Sequence, residues 1–159
     1  MKIYISYFYA VRFFKPSEIP MSTALYDPAW FRPPHRSQYR IDKRGVINGL
    51  RATPFAMIPV DGSHACETCD HNPEKCAFLP AYRDYLDTLD FDDMMKRIES
   101  LANAAAELTN DSSAPWIEPT AVLLVHEAPS NPCSERQPII DWFAKHGVTV
   151  EEYPVPKKS

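Results

Sequence analysis

Residues Ala121 to Val125 form an unbroken apolar run with two valines, bounded by Pro119 on one side and by His126-Glu127 on the other. A run so short and β-branched reads as a strand, and with no polar face to offer water it must be covered on both sides. The segments beyond it narrow the fold further. After a loop from Glu127 to Cys133, the segment Ile139 to His146 predicts a helix ended by Gly147, and Val148 to Tyr153 predicts another strand. Strand, helix and strand in about thirty residues make a βαβ unit with a right-handed crossover and parallel strands. The expectation is therefore an α/β fold: a single three-layer Rossmann-like domain over residues 1–159, with a partly parallel sheet and no internal repeat.

The rest of the chain supplies further elements. Ile3 to Phe8 is rich in β-branched and aromatic residues and predicts the first strand. Sixteen Pro stand against four Gly, where average usage in this length gives about 8 and about 11. The connections should therefore be stiff and extended. The longest runs from Phe14 to Pro59, where Pro16, Pro20, Pro28, Pro33, Pro34 and Pro54 forbid long regular elements. Within it Ile19 to Leu25 suits a short strand, and Asn48-Gly49 suits a turn. Farther on, Pro80 fits a first helical turn, with Tyr82, Tyr85, Leu86 and Leu89 at helical spacing. Asp90 is a good N-cap for a second helix, in which Phe91, Met94, Met95, Ile98, Leu101, Ala102, Ala105 and Leu108 keep one apolar face. That stripe is core, and its methionines are packing. Asn110 to Pro119 is a polar, proline-punctuated linker.

Lys2 followed by Ile3 to Val11 has the outline of a signal peptide, but Arg12 interrupts it and no small-residue cleavage site comes after it. No segment reaches the roughly 18 continuous apolar residues of a membrane span. Four cysteines, three of them between Cys66 and Cys76, suit a metal site in a reducing compartment better than a disulfide framework. These points predict a cytoplasmic protein with no membrane partner.

The cysteines lie in His64-Ala-Cys66-Glu-Thr-Cys69-Asp-His71-Asn-Pro-Glu-Lys-Cys76, within a Cys-rich insert over residues 61–79. A Cys-x-x-Cys turn presents two thiolates to one ion, and structural zinc takes four such ligands in a tetrahedron. Cys66 and Cys69 make the pair, Cys76 gives a third thiolate, and His71 or His64 the fourth ligand, so zinc is the expected cofactor. Open alternatives are an iron–sulfur cluster completed by Cys133, and a reduced loop whose thiols are incidental. A thioredoxin-like redox pair would need a strand just before it, which is lacking.

A second constellation, His126-Glu127-Ala-Pro-Ser-Asn-Pro-Cys133-Ser134-Glu135-Arg136, lies between a strand end and a helix start. Open α/β sheets bind ligands outside the carboxyl ends of their strands, and the N–H groups of a helix start attract anions. Cys133 there is a candidate nucleophile, Arg136 a grip for phosphate or carboxylate, Ser134 a further ligand contact, and His126 and Glu127 acid–base or orienting groups. The structural alternatives are a packed thiol at Cys133 and a capping box of Ser134 with Gln137. Pro138 argues for a helix starting at Gln137.

Aromatic and basic residues interleave in Trp30, Phe31, Arg32, His35, Arg36 and Tyr39, as a base-stacking surface requires. Charge agrees with that placement. Although the chain carries a formal −4, Met1 to Arg51 holds nine basic and three acidic residues, a local +6, so the remainder carries −10. A positive N-terminal third steers anions if it lines a groove. The expected partner is thus an anionic small molecule, a nucleotide above all, or nucleic acid. Two functions are open: an enzyme binding a phosphate-bearing ligand at the Cys133–Arg136 loop, or a non-catalytic zinc-stabilised module that binds nucleic acid or protein.

Ile3-Tyr-Ile-Ser-Tyr-Phe8, Met21-Ser-Thr-Ala24 leading to Pro28-Ala-Trp-Phe31, and the stretch from Val122 through Cys133 and Arg136 to Gly147 together resemble the domain of unknown function family four hundred eighty-eight (DUF488). That family ends with a strand and then a Cys-His-Arg tripeptide opening a helix. Here Cys133-Ser134-Glu135-Arg136 stands instead, keeping the Cys and the Arg, losing the His and lengthening the spacing by one. The Cys-rich insert looks like the mark of a subset. The resemblance implies an α/β fold and a functional Cys133 loop, and supplies no substrate.

Overall fold

A computed structural model of the protein describes residues 1–23, 72–76, 78–109 and 115–156. Strands β1 (Ile3–Tyr7), β2 (Glu18–Ser22), β3 (Thr120–Val125) and β4 (Glu151–Glu152) form one sheet in the order β2-β3-β1-β4. Every pair is parallel, with Ala121 of β3 in register with Ile3 of β1 and Ile19 of β2. Pro20 of β2, which has no N–H to give, is tolerated because β2 is an edge strand among the described residues.

The apolar run is central, as its composition requires. Residues 121 to 125 are at most 1% exposed, and alternation along the strand divides them between two cores. Ala121, Leu123 and Val125 face one side with Ile3, Ile5, Ile19 and Met21, while Val122 and Leu124 face the other with Phe8, Val11 and Phe14.

The first side is covered by helices α1 (Phe78–Asp87), α2 (Phe91–Thr109) and α3 (Arg136–Lys145). Tyr82 and Leu86 from α1, Met94, Ile98, Ala102 and Ala105 from α2, and Ile139, Trp142 and Phe143 from α3 share one buried cluster with the strands. Asp90 caps α2 as expected, its Oδ1 accepting the Asp93 N–H at 3.0 Å. The second side carries a 3-10 segment, Phe8–Phe13, with Phe14 and Tyr153. Tyr153 pins this layer: its ring lies 4.6 Å from Phe14 and its hydroxyl 2.8 Å from Glu18 Oε1.

These two faces result from handedness. The β1-to-β2 connection crosses the sheet past β3, and the β3-to-β4 connection crosses it the opposite way past β1. Right-handed crossovers in opposite directions lie on opposite faces. The α/β class and the parallel sheet therefore stand, and the sheet is parallel throughout its described strands rather than in part. Among the described residues the second face carries no α-helix.

Helix α3 begins earlier than its apolar pattern indicates, at Arg136. Pro138 occupies the third helical position, where an N–H has no intrahelical acceptor in any case, and the first helical bond runs from the Ile139 N–H to the Glu135 carbonyl at 3.1 Å. At its other end the Val148 N–H reaches the Phe143 carbonyl (2.9 Å) and the Gly147 N–H the Ala144 carbonyl (3.0 Å), a Schellman closure with Gly147 at φ +81°. A β-carbon on Gly147 would meet nothing within 4 Å, so only the backbone resists substitution. Gly147→Ala is expected to cost about 1 kcal/mol and lower the urea midpoint with an unchanged m-value; an unaltered midpoint would count against the strained closure.

Candidate functional site

Neighbouring strands β1 and β3 send their chains to opposite faces, the arrangement at whose carboxyl ends open α/β sheets form a ligand-binding crevice. Ser6 near the end of β1 is fully buried, and its Oγ makes no hydrogen bond among the described residues. Across β3 from it, Thr23 after β2 donates from Oγ1 to the Leu124 carbonyl at 2.7 Å, fixing the chain as it leaves the sheet edge.

The loop after β3 is organised by short polar side chains. Asn131 Oδ1 accepts the Cys133 N–H at 2.9 Å, and Ser134 Oγ accepts the Arg136 N–H at 3.1 Å, a turn just before Glu135, the N-cap of α3, whose own side chain makes no capping bond. The expected capping box of Ser134 with Gln137 does not form: the cap position is Glu135, and Gln137 turns to Asp141 Oδ1 at 2.8 Å. Cys133 is buried, at 6% exposure, and His126 is exposed with its ring 5.4 Å from that of Phe8.

Arg136 is the centre of the arrangement. It is 7% exposed, donates from Nη1 to the Glu127 carbonyl at 3.0 Å, and pairs through Nε with Glu152 Oε1 at 2.5 Å. One side chain thus ties the loop, the start of α3 and β4 together. Its Nη2 is buried without a hydrogen bond among the described residues, as are Glu127 Oε2 and the hydroxyl of Tyr82 on α1. Burial, and then the negative charge of Glu127, push the Glu135 carboxyl up to about 8; its own backbone N–H and Arg136 oppose this only in part. Burial and then Glu135 hold the Tyr82 phenol well above its ordinary range. Glu152 is raised as well, mainly by burial, with Arg136 pulling the other way. Glu135 and Glu152 are thus two carboxyls that burial makes costly to ionise, each partly offset by the charge of Arg136.

The structure thus brings together Glu127, Cys133, Ser134 and Arg136, with His126 at the rim. It adds Glu135, Glu152 and Tyr82, which the sequence did not single out: Tyr82 sits in an apolar helical stripe and Glu152 in an ordinary strand, and neither pattern carries a signal. Trp30, Arg32, Arg36, His64, Cys66, Cys69 and His71 lie outside the described residues. Cys76, also expected as a zinc ligand, is a buried reduced thiol just after a 3-10 turn, Pro73–Lys75. Among the described residues no three His, Cys, Asp or Glu side chains are grouped to hold a metal ion, and no helix is long and apolar enough to cross a membrane.

No family model, no curated protein and no solved structure matches the chain.

The raised Glu135 carboxyl makes stability depend on pH. Its folded value of about 8 lies above the ordinary 4.5, so between them the folded state binds more protons than the unfolded state. Its contribution is complete below about pH 4.5 and is lost as pH rises through about 8. Glu135→Gln should remove this slope and leave the variant about 2 to 4 kcal/mol more stable than the parent at alkaline pH, measured by urea unfolding. Parallel pH profiles for the two proteins would contradict the assignment.

Proposed function

We propose that the crevice between β1 and β3 binds a nucleotide or another phosphate-bearing small molecule at the Cys133–Arg136 loop, and that the protein is an enzyme acting on it. The observation that carries this reading is Arg136: its buried guanidinium is anchored to Glu127 and Glu152, yet keeps Nη2 without a partner at a helix start beside the crevice. A ligand oxygen would complete that nitrogen with a charge-assisted hydrogen bond. Ser134, whose hydroxyl holds the Arg136 N–H, is a further ligand contact. Cys133 is the candidate nucleophile, His126 and Glu127 orient or exchange protons, and Trp30, Arg32 and Arg36 supply stacking and further charge. The opposite-face crossovers support a Rossmann-like, three-layer plan akin to DUF488, with zinc held by Cys66, Cys69, Cys76 and His71 or His64.

Arg136→Ala is a poor test, because it strands Glu152 beside a vanished charge. Arg136→Lys keeps the charge and removes the planar fork. In amide NMR titrations with adenosine monophosphate, shifts are expected at Ser6, Thr23 and His126 to Arg136, and Arg136→Lys should weaken binding about tenfold. Absence of shifts in that loop would defeat the reading. Affinity that collapses between about 50 and about 200 mM salt would instead favour the non-catalytic module tracking a nucleic-acid backbone.

Native mass spectrometry tests the zinc. One added zinc is expected in the parent protein and none in the Cys66→Ser, Cys69→Ser double variant; a bare chain in both would remove the metal from the proposal.

A further inference from the structure

We propose that the outer side of the 3-10 segment Phe8–Phe13 binds single-stranded nucleic acid, with Phe13 and the Arg12 guanidinium stacking on unpaired bases and the outer nitrogens of Arg12 holding a backbone phosphate. This site uses none of the side chains assigned to the ligand of the Cys133–Arg136 loop and stands or falls without it.

A 3-10 helix repeats every three residues, so side chains at i and i+3 fall in line. Phe8 and Val11, with Phe14 just beyond the segment, turn inward together and are buried in the core of the second face. Tyr9 and Arg12 fall on the outer side with Phe13 beside them, and none of the three belongs to that core. Tyr9 is 37% and Phe13 36% exposed, and their rings adjoin: the Tyr9 centroid lies 6.1 Å from Phe13 edge-on, and 6.1 Å from Tyr7 at an interplanar angle of 17°. Arg12 is held against this surface. Its guanidinium carbon sits 3.7 Å from the centre of the Tyr9 ring, and its Nε donates to the Tyr9 carbonyl at 2.9 Å. Two contacts to one residue fix the group, so little side-chain freedom is left to lose on binding. Arg12 makes no ion pair among the described residues, which leaves Nη1 and Nη2 for a ligand. Glu18, the nearest carboxylate along the chain, is already engaged by the Lys15 N–H at 2.6 Å and the Tyr153 hydroxyl at 2.8 Å. Charge then selects the partner: residues 1–23 carry Lys2, Arg12 and Lys15 against Glu18 alone. A proline-rich peptide would suit the rings but offers no anion to Arg12. A nucleic-acid strand offers bases to the rings and the guanidinium plane, and phosphates to the donors; a duplex keeps those base faces hidden.

The test measures, by fluorescence anisotropy, binding of a labelled oligothymidylate of about 10 nucleotides, a duplex of the same length and a labelled polyproline peptide to the parent protein, Tyr9→Ala, Phe13→Ala and Arg12→Lys. The parent is expected to bind the single strand, less tightly as salt rises from about 50 to about 200 mM, and to show amide NMR shifts from Tyr7 to Lys15. Tyr9→Ala and Phe13→Ala should each lose about tenfold in affinity with the salt dependence unchanged and the urea midpoint close to the parent's. Arg12→Lys keeps the charge, removes the plane and should lose about fivefold. If either alanine variant fails to fold, Arg12→Lys decides alone, and parental affinity in it would overturn the stacked guanidinium. No binding of the strand, equal binding of the duplex, or affinity unmoved by both alanine variants would overturn the inference. Binding of the polyproline peptide in place of the strand would give the patch to a protein partner and overturn it too. Shifts confined to His126 to Arg136 would move the strand to the loop, overturning this site and leaving the ligand reading there intact.

Discussion

β3 lies between β1 and β2, parallel to both, with residues 121 to 125 at most 1% exposed. A strand in that position needs apolar cover on each face, and parallel neighbours need connections long enough to cross the sheet. Those connections leave in opposite directions, so handedness places them on opposite faces. The helical layer, the 3-10 layer and the divergence of the chain after β1 and β3 are all consequences of that one placement.

At the start of α3 a second constraint operates. Arg136 carries a charge in a nearly dry position, and a buried charge must be paired. Glu152 and the Glu127 carbonyl provide the pairing, at the cost of gathering carboxylates around a single cation. Burial, and after it the charge of Glu127, raises the Glu135 carboxyl to about 8, against the pull of Arg136. The ion pair of Arg136 with Glu152 fixes the start of α3 against β4.

Much of this framework is legible in the sequence. β1, β3 and α2 appear at their expected places because their patterns are strong: a β-branched run, an unbroken apolar run, and a capped stripe of 3.6-residue period. The start of α3 is less legible. Pro138 suggests a later beginning, and only the position of the first helical bond shows that it loses nothing there. At the site, Cys133, Ser134 and Arg136 stand out through their place between a strand and a helix. Glu135 stands among them without a distinguishing neighbour in sequence, because what raises its carboxyl is burial and the charge of Glu127, eight positions away.

By itself the sequence determined the elements, the α/β class and the loop on which the chemistry is proposed. These are local properties, set by the period of apolar side chains, by caps and by turn residues. Only the tertiary structure decided which charges meet. Tyr82, Glu127, Arg136 and Glu152 come from four separate places along the chain, and their interaction energy depends on distance and burial rather than on order in sequence. The fold joins Glu127 and Arg136, already marked by their place in the loop, to Glu152, which read in line is an ordinary member of a strand.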